Sequence, residues 1–204
     1  MVTPDRRKQR IREEKTVLRK AMSAEARSTA DHAIRKNLES LPELGEFNIL
    51  VAYASDGTEP DLSGIMKRFL DAGRTVALPR FRSTTCYEIA KIAGWKDLSG
   101  KKWGIPEPGP EAQPCTPDEL RNSLWLVPGV AFDGECRRLG RGGGIYDRLL
   151  SGGAGCVIGV FYECQNCGAL PSDSHDVPLD LVVTETRILR RKNNSVPSGN
   201  KERN

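Results

Sequence analysis

The chain begins with two segments in which apolar residues recur at the helical period. Residues 8–22 carry a thin apolar stripe and, on another face, a row of basic residues. The stripe contains Ile11, Leu18 and Met22, and the basic row contains Lys8, Arg12, Lys15 and Arg19. A second helix is predicted after Ser23, a favourable N-cap residue, and its apolar face extends to Leu41 before Pro42.

Short apolar runs of strand length follow, and helical segments separate several of them. They lie at 48–54, 75–78, 124–132, 156–162 and 181–184, with a weaker candidate at 87–92. A helix predicted to open at Glu59 and to stop at Gly73 joins the first two runs, which makes a βαβ unit with parallel strands. Residues 94–117 are predicted as a long loop. The pattern predicts α/β: one three-layer α/β/α domain with a mostly parallel central sheet and N-terminal helices packed on it.

The chain has 204 residues, enough for one domain with a substantial core. Its net charge of +4 is unevenly distributed, because residues 1–20 hold eight Lys and Arg against three acids and residues 187–204 hold six against one. Basic ends can bind nucleic acid, but these lack interleaved aromatic residues. We favour a domain at 1–189 with a solvated basic helix face, a disordered tail at 190–204, and no nucleic-acid partner.

Location and cysteine chemistry follow from the same composition. No apolar run approaches the length of a transmembrane helix, and no apolar segment of a secretory signal follows the basic N-terminus. We expect a cytoplasmic protein, a monomer without a membrane partner, and no disulfides among its six cysteines. Cys164 and Cys167 have the spacing of a zinc or redox pair, but a structural zinc ion needs a second pair of ligands.

The most informative stretch is 127–150, where an apolar strand breaks at Asp133-Gly134 and arginines follow among glycines. These are Arg137, Arg138, Gly140, Arg141, Gly142, Gly143 and Gly144, and a helix is predicted from Ile145. Glycines let a ligand approach the main chain, whose successive N–H groups form an anion-binding concavity. Arginines match phosphate oxygens, and Asp147 adds a carboxylate that magnesium would bridge to the anion. The order of these features predicts a phosphate site, with a flexible surface loop as the simpler alternative.

The topology predicts which other residues come near this loop. Ligands of open α/β sheets bind beyond the carboxyl ends of the strands, and this rule places Glu59 beside the glycine loop. Alternatively, Glu59 is a first-turn acid of its helix, and Lys8 and Arg12 are solvated helix charges. Asp180 precedes the last strand, where a turn residue is the alternative.

Two motifs, PGVAFD at 128–133 and RLGRGGGIYDR at 138–148, resemble the signature of the 5-formyltetrahydrofolate cyclo-ligase family, also called methenyltetrahydrofolate synthetase. The resemblance runs from about residue 8 to residue 185. Weaker matches occur in the same order at 8–12, 53–59, 78–80, 103–108 and 180–185. The chain differs at Ile145, where the family commonly has a tyrosine.

The resemblance implies a reaction and its participants. ATP and magnesium would convert 5-formyltetrahydrofolate, possibly carrying a polyglutamate tail, to 5,10-methenyltetrahydrofolate, with release of ADP and phosphate. Phosphorylation of the formyl oxygen makes that oxygen a good leaving group, and N10 then closes on the activated carbon. Such chemistry needs positioning and charge neutralisation rather than a protein nucleophile.

The resemblance also implies roles for individual residues. ATP would be held by Lys8, Arg12, Arg138, Leu139, Gly140, Arg141, Gly142, Gly143, Gly144, Ile145 and Tyr146. The folate would be held by Ala54, Glu59, Trp103, Arg141, Gly142, Gly143, Gly144 and Ile145. Arg141 and Asp147 would be catalytic, and Asp147 and Asp180 would bind magnesium. The carboxylate of Glu59 suits the donors of a pterin ring, whereas Trp103 has a core role as its alternative.

Three other functions stay open. The chain could bind a nucleotide or folate-like ligand without cyclisation, or bind nucleic acid through its basic ends. It could also be a sugar-phosphate or CoA-type α/β enzyme, which would need no ATP.

Overall fold

The computed structural model describes residues 4–83, 86–102, 104–171 and 176–192. The helices are α1 (Pro4–Ala21), α2 (Ala24–Glu39), α3 (Glu43–Glu46), α4 (Ser63–Asp71), α5 (Pro117–Arg121) and α6 (Ile145–Leu150). The strands are β1 (Ile49–Val51), β2 (Thr75–Ser83), β3 (Cys86–Ile92), β4 (Gly100–Lys102), β5 (Ile105–Glu107), β6 (Leu124–Val127), β7 (Ala131–Phe132), β8 (Arg138–Leu139), β9 (Cys156–Val160), β10 (Leu181–Val183) and β11 (Ile188–Arg190). Two short 3-10 helices lie at Trp95–Asp97 and Glu163–Gln165.

Seven strands form the central sheet in the order β11-β10-β9-β6-β1-β2-β3. The five inner strands are parallel, and β3 and β11 pair antiparallel at the two edges. The predicted βαβ unit is β1, α4 and β2. The predicted mostly parallel α/β fold is therefore confirmed.

Both faces of the sheet are covered, as the continuous apolar runs required. All four residues of β6 are buried, and they alternate between the two faces with the period of two that a strand imposes. Leu124 and Leu126 join the cluster under α2 and α4, whereas Trp125 and Val127 join the cluster under α6. The sheet thus has an apolar layer on each side, and its carboxyl edge is left for loops.

Helix α1 follows the amphipathic pattern predicted for it only in part. Leu18 and Val17 are 42% and 67% exposed, and the buried residues of the helix are Lys8 and Arg19. The helix contacts β7 and the 3-10 helix Glu163–Gln165, so its basic row faces inward over the loops. Of the predicted stripe, Ile11 and Met22 pack partly buried against apolar clusters, whereas Leu18 lies outside.

Several elements were not predicted. The loop predicted at 94–117 contains β4, β5 and α5, and the strand predicted at 124–132 divides into β6 and β7. The predicted tail begins too early, because Ile188–Arg190 pairs with β10 and the Arg190 guanidinium pairs with Glu43. The rest of the predicted tail, 193–204, lies outside the described residues. None of the described helices is both long and apolar enough to cross a membrane.

The different burial of Leu38 on α2 and Leu18 on α1 predicts different losses of stability for the same Leu→Ala substitution. Leu38 is fully buried, so Leu38→Ala should lower the free energy of unfolding by about 2–5 kcal/mol. Leu18→Ala should lower it by less than about 1 kcal/mol, since Leu18 is 42% exposed. Urea unfolding of both variants tests this, and equal losses would contradict the orientation of α1.

Candidate functional site

A hairpin of β7 and β8 presents the glycine loop. Asp133 is fully buried in its turn, and one carboxylate oxygen accepts from the backbone N–H groups of Glu135 and Arg137 at 3.0 and 3.1 Å. The other oxygen accepts from the Arg137 side chain at 2.7 Å and from the Leu170 backbone at 2.9 Å. The predicted break at Asp133 is thus a turn held by hydrogen bonds to this carboxylate. It directs the chain after β8 to the carboxyl edge of the sheet.

The loop from Gly140 to Gly144 has a backbone that only glycine adopts readily. Gly142 and Gly144 have φ of +101° and +61°, in the left-handed region that strains residues with a Cβ atom. Helix α6 begins directly after Gly144, as predicted. The side chain of Arg12, reaching over from α1, donates to the Gly140 carbonyl at 2.9 Å. This bond ties the loop to the N-terminal helix.

Arg141 projects from the loop onto two carboxylates. Its guanidinium donates to Glu59 at 2.8 Å and to Asp56. On the inner side, Arg19 of α1 lies 3.6 Å from Glu59 and 3.7 Å from Asp56. The prediction that Glu59 lies beside the glycine loop is therefore confirmed, and the four side chains form a cluster of alternating charge.

The loop after β1 builds the acidic half of this cluster. One oxygen of Asp56 accepts from the Thr58 backbone and hydroxyl at 2.8 and 2.7 Å and from the Glu59 backbone at 3.1 Å. Helix α4 begins only at Ser63. The alternative that Glu59 is a first-turn acid of that helix is consequently wrong, and the buried Glu59 owes its position to the turn.

Burial and charge act in opposite directions on the two acids. Burial alone would raise the pKa of Asp56, but hydrogen bonds from Thr58 and Arg141 outweigh it and lower this pKa to about 2. Burial raises the pKa of Glu59 above its usual value although Arg141 and Arg19 counteract it. The arginines are thus needed to keep a deeply buried carboxylate ionised.

Two cavities flank the glycine loop. A charged cavity of about 490 Å³ is bounded by Lys8, Arg12, Asp147 and Asp176. A mostly apolar cavity of about 290 Å³ is bounded by aromatic, aliphatic and proline side chains, with Glu59 and Arg141 at one end. A space of about 100 Å³, lined by Glu59, Arg138, Arg141 and Asp147, lies between them. A larger open groove of about 740 Å³ lies away from the loop and has no buried charged side chain.

The charged cavity contains two ion pairs. Lys8 lies 3.2 Å from Asp176, and Arg138 donates to Asp147 at 2.6 Å. The Arg138 side chain is 3% exposed, and its buried Nε has no hydrogen-bond partner among the described residues. A buried donor of this kind has a high cost unless a ligand satisfies it. The described residues include no group of three or more His, Cys, Asp or Glu that could hold a metal ion.

The structure brings most of the predicted residues together. The charged cavity is lined by Lys8, Arg12, Arg138, Leu139, Gly140, Gly142, Gly143, Gly144 and Asp147. The apolar cavity is lined by Ala54, Glu59, Arg141, Gly143, Ile145 and Tyr146. Trp103 lies outside the described residues. Gly143 therefore faces both spaces, and the glycine loop separates them.

Asp180 does not join this group. It precedes β10 at the amino end of the parallel strands, and its carboxylate accepts from the Val157 backbone at 2.8 Å. It lines neither of the two cavities, which lie at the carboxyl edge. The predicted pair of magnesium ligands is therefore corrected: of the two residues, only Asp147 is at the site.

Three residues of the site were missed as site residues. Arg19 belongs to the basic row predicted to face solvent, and Asp56 and Asp176 were not singled out. Asp56 had a usable signal, since it follows a buried strand at the edge where ligands bind. Arg19 and Asp176 had none in the sequence, because their partners lie on other elements.

A comparison with known protein families matches residues 4–185 to the 5-formyltetrahydrofolate cyclo-ligase family. The chain belongs to this family. It is 30% identical over 191 residues to 5-formyltetrahydrofolate cyclo-ligase of Mycolicibacterium smegmatis, covering 81% of this chain and 97% of that one. It is 29% identical over 184 residues to the Haemophilus influenzae enzyme of the same name, covering 87% and 97%. The structure of Aquifex aeolicus 5,10-methenyltetrahydrofolate synthetase superposes with a TM-score of 0.81 at 31% identity, over 96% and 99%.

The cysteines have no evident part in this cyclo-ligase fold. Cys164 lies 3.9 Å from the sulfur of Met22, and burial raises the pKa of the Cys164 and Cys167 thiols. A thiol with a raised pKa is a poor nucleophile and metal ligand at neutral pH. The site found in this family member is built from arginines, carboxylates and backbone instead.

The hydrogen bonds of Asp56 predict that the stability lost in an Asp56 variant depends on pH. Asp56→Asn should lower the free energy of unfolding at pH 7 by about 1–3 kcal/mol through lost charge-assisted hydrogen bonds. The pKa of Asp56 in the folded protein is about 2, below its usual 3.8. Its contribution to stability is therefore complete above about pH 4 and is lost as the pH falls toward 2. Urea unfolding between pH 3 and 7 should therefore show the difference shrinking below about pH 4. Asp71→Asn, an exposed control, should change little, and a constant difference for Asp56→Asn would count against the cluster.

Proposed function

We propose that the chain catalyses the ATP-dependent cyclisation of 5-formyltetrahydrofolate to 5,10-methenyltetrahydrofolate, with release of ADP and phosphate. The observation that carries the proposal is the pair of cavities that meet at Arg138, Arg141 and Asp147. A reaction between a polyanion and a flat heterocycle needs two such spaces with a charged junction. Family membership and the names of the relatives support the same reaction.

The charged cavity suits the phosphates of ATP. Lys8 and Arg12 approach it from α1, and the glycine loop contributes backbone without side-chain obstruction. The unpartnered Nε of the buried Arg138 fits a phosphate oxygen, since guanidinium groups donate to such oxygens in pairs. Asp147 would hold a magnesium ion, which is commonly bound by one or two carboxylates together with substrate phosphates. Bound ATP and magnesium would supply the phosphoryl group and neutralise its charge.

The apolar cavity suits the folate. Its walls come from Tyr53, Leu78, Tyr87 and Tyr146, which offer flat and aliphatic surface to a pterin ring. Glu59 is the buried carboxylate at one end, and it can accept from the amide and amino donors of that ring. Ala54 and Ile145 complete the wall near the loop. The cavity would thus orient the formyl group toward the junction with the charged cavity.

Catalysis in this proposal rests on position and charge. Arg141 and Arg138 stand on the two sides of the junction, where negative charge must be stabilised as a phosphoryl group moves. Neither cavity is lined by a cysteine, serine or histidine of the described chain other than Ser151, so no protein nucleophile is implied. The half-buried Tyr146 stays protonated, because its removal from water raises its pKa.

A second candidate is a family member that binds these ligands without cyclising the folate. The observation that favours it is Ile145, which removes an aromatic ring from the folate wall. Cytoplasmic location, the monomeric state and the absence of a nucleic-acid partner stay predictions.

The first test is direct product formation. With 5-formyltetrahydrofolate, ATP and magnesium, the protein should form methenyltetrahydrofolate, which is followed by its absorbance. Asp147→Asn should lower kcat by about 100-fold or more, since the carboxylate that would hold the charge-neutralising magnesium ion is lost at the junction. Cys86→Ser, at an exposed position outside both cavities, is the matched control and should keep full activity. Absence of product from the unmodified protein would favour the second candidate.

The second test assigns the cavities separately. Lys8→Ala should raise the KM for ATP about 10-fold to 100-fold with little change for the folate, the range expected for a lost charge-assisted bond. Glu59→Gln should do the reverse, raising the KM for 5-formyltetrahydrofolate by a similar factor. Steady-state kinetics with each substrate varied would check this. Interchanged effects would mean that the two cavities are assigned the wrong way round.

A further inference from the structure

Arg19 is a buried cation without an optimal partner. Its side chain is 4% exposed, and it reaches inward from a helix that buries no apolar residue. It donates to the Gly129 carbonyl at 3.4 Å, and its distances of 3.6 and 3.7 Å to Glu59 and Asp56 exceed those of good charge-assisted bonds. Its Nε has no hydrogen-bond partner among the described residues. A group this costly to bury stays where it is because the nearby carboxylates require a positive charge.

Arg141 lies closer than Arg19 to the same two carboxylates, but its side chain is more exposed. Its side chain is 53% exposed and stands on the glycine loop, whereas Arg19 is fixed within α1. Arg141 lines the junction where an anionic ligand would lie. If Arg141 turns to that ligand, Asp56 and Glu59 keep only Arg19 as a cationic neighbour among the contacts described here. Without Arg19 the half-buried Asp56 and the buried Glu59 would repel each other.

We propose that Arg19 is a positioning residue that holds Glu59 charged and oriented toward the folate, so that Arg141 is available to the phosphoryl group. The inference rests on the proposed function for its folate and phosphoryl parts, while the coupling of Arg19 to Glu59 stands on geometry alone. In this proposal the buried Arg19 keeps the Glu59 carboxylate in place as an acceptor. The exposed Arg141 stabilises the charge that develops on the phosphoryl group.

The charged and titratable groups around Glu59 belong to several elements. Those nearest are Asp56 on the same loop, Arg19 on α1, Arg141 on the glycine loop, Tyr53 after β1 and Tyr146 on α6. Arg138 lines the adjoining junction, and Tyr87, Lys102 and Glu107 line the far side of the apolar cavity. All except Arg19 are unchanged in an Arg19 variant, so a change in the titration of Glu59 can be assigned to that cation.

The test is a double-mutant cycle of Arg19→Gln and Glu59→Gln in urea unfolding from pH 5 to pH 8. Loss of Arg19 raises the folded pKa of Glu59, so stability is retained at low pH and lost as the pH rises through that value. The unfolding equilibrium constant of Arg19→Gln, relative to the unmodified protein, should rise about 10-fold across this range. Adding Glu59→Gln should remove the pH dependence. Arg10→Gln, an exposed arginine of the same helix, should show none.

Kinetics supply the second readout. For Arg19→Gln the KM for 5-formyltetrahydrofolate should be about 10-fold higher at pH 6.5 than at pH 8.5, because an uncharged Glu59 is a poorer acceptor. The KM for ATP should not follow this pattern, and Arg19→Lys, which keeps the charge, should behave more like the unmodified protein. Additive and pH-independent effects in the unfolding cycle, or a lysine variant as impaired as the glutamine variant, would overturn the role of Arg19. Failure of the unmodified protein to form product would contradict the cyclo-ligase proposal, and the unfolding cycle would still decide the coupling.

Discussion

The pairing of two arginines with a buried and a half-buried carboxylate is the constraint on which this site depends. Asp56 and Glu59 come from the loop after β1, Arg141 from the glycine loop and Arg19 from α1. Burial of an unneutralised carboxylate costs free energy of folding. The loop after β1, the glycine loop and α1 must therefore come together for the charges to be paired. The cluster therefore joins three separate segments of the chain at the carboxyl edge of the sheet.

This constraint explains the unusual packing of α1. Most surface helices attach to a domain through an apolar stripe. Here the residues turned inward are Lys8 and Arg19, while Leu18 is largely outside. Arg12 adds a hydrogen bond to Gly140. Apart from Ile11, which packs on Ala131, Leu139 and Leu170, the helix is held by its charged side chains. Lys8 and Arg12 also line the charged cavity, so docking and ligand binding use the same groups.

The glycine loop has a second role as a partition. Its left-handed residues, Gly142 and Gly144, let the chain pass between the two cavities without filling either one. Arg138 and Asp147 face the charged side, and Arg141 faces the apolar side. A site for transfer between two ligands needs such a thin divider, because the reacting groups must come within bonding distance of each other.

The sequence by itself determined the parallel sheet, the glycine loop and the position of Glu59 beside it. These follow from local periodicity, from turn chemistry and from the rule that loops gather at the carboxyl edge. Only the tertiary structure decided that Arg19 is buried, that Asp176 pairs with Lys8 and that Asp180 lies at the opposite edge. Whether a charged residue faces solvent or a partner depends on residues of other elements, 23 positions away for Asp180 and 168 for Lys8, and no local pattern encodes such a pairing.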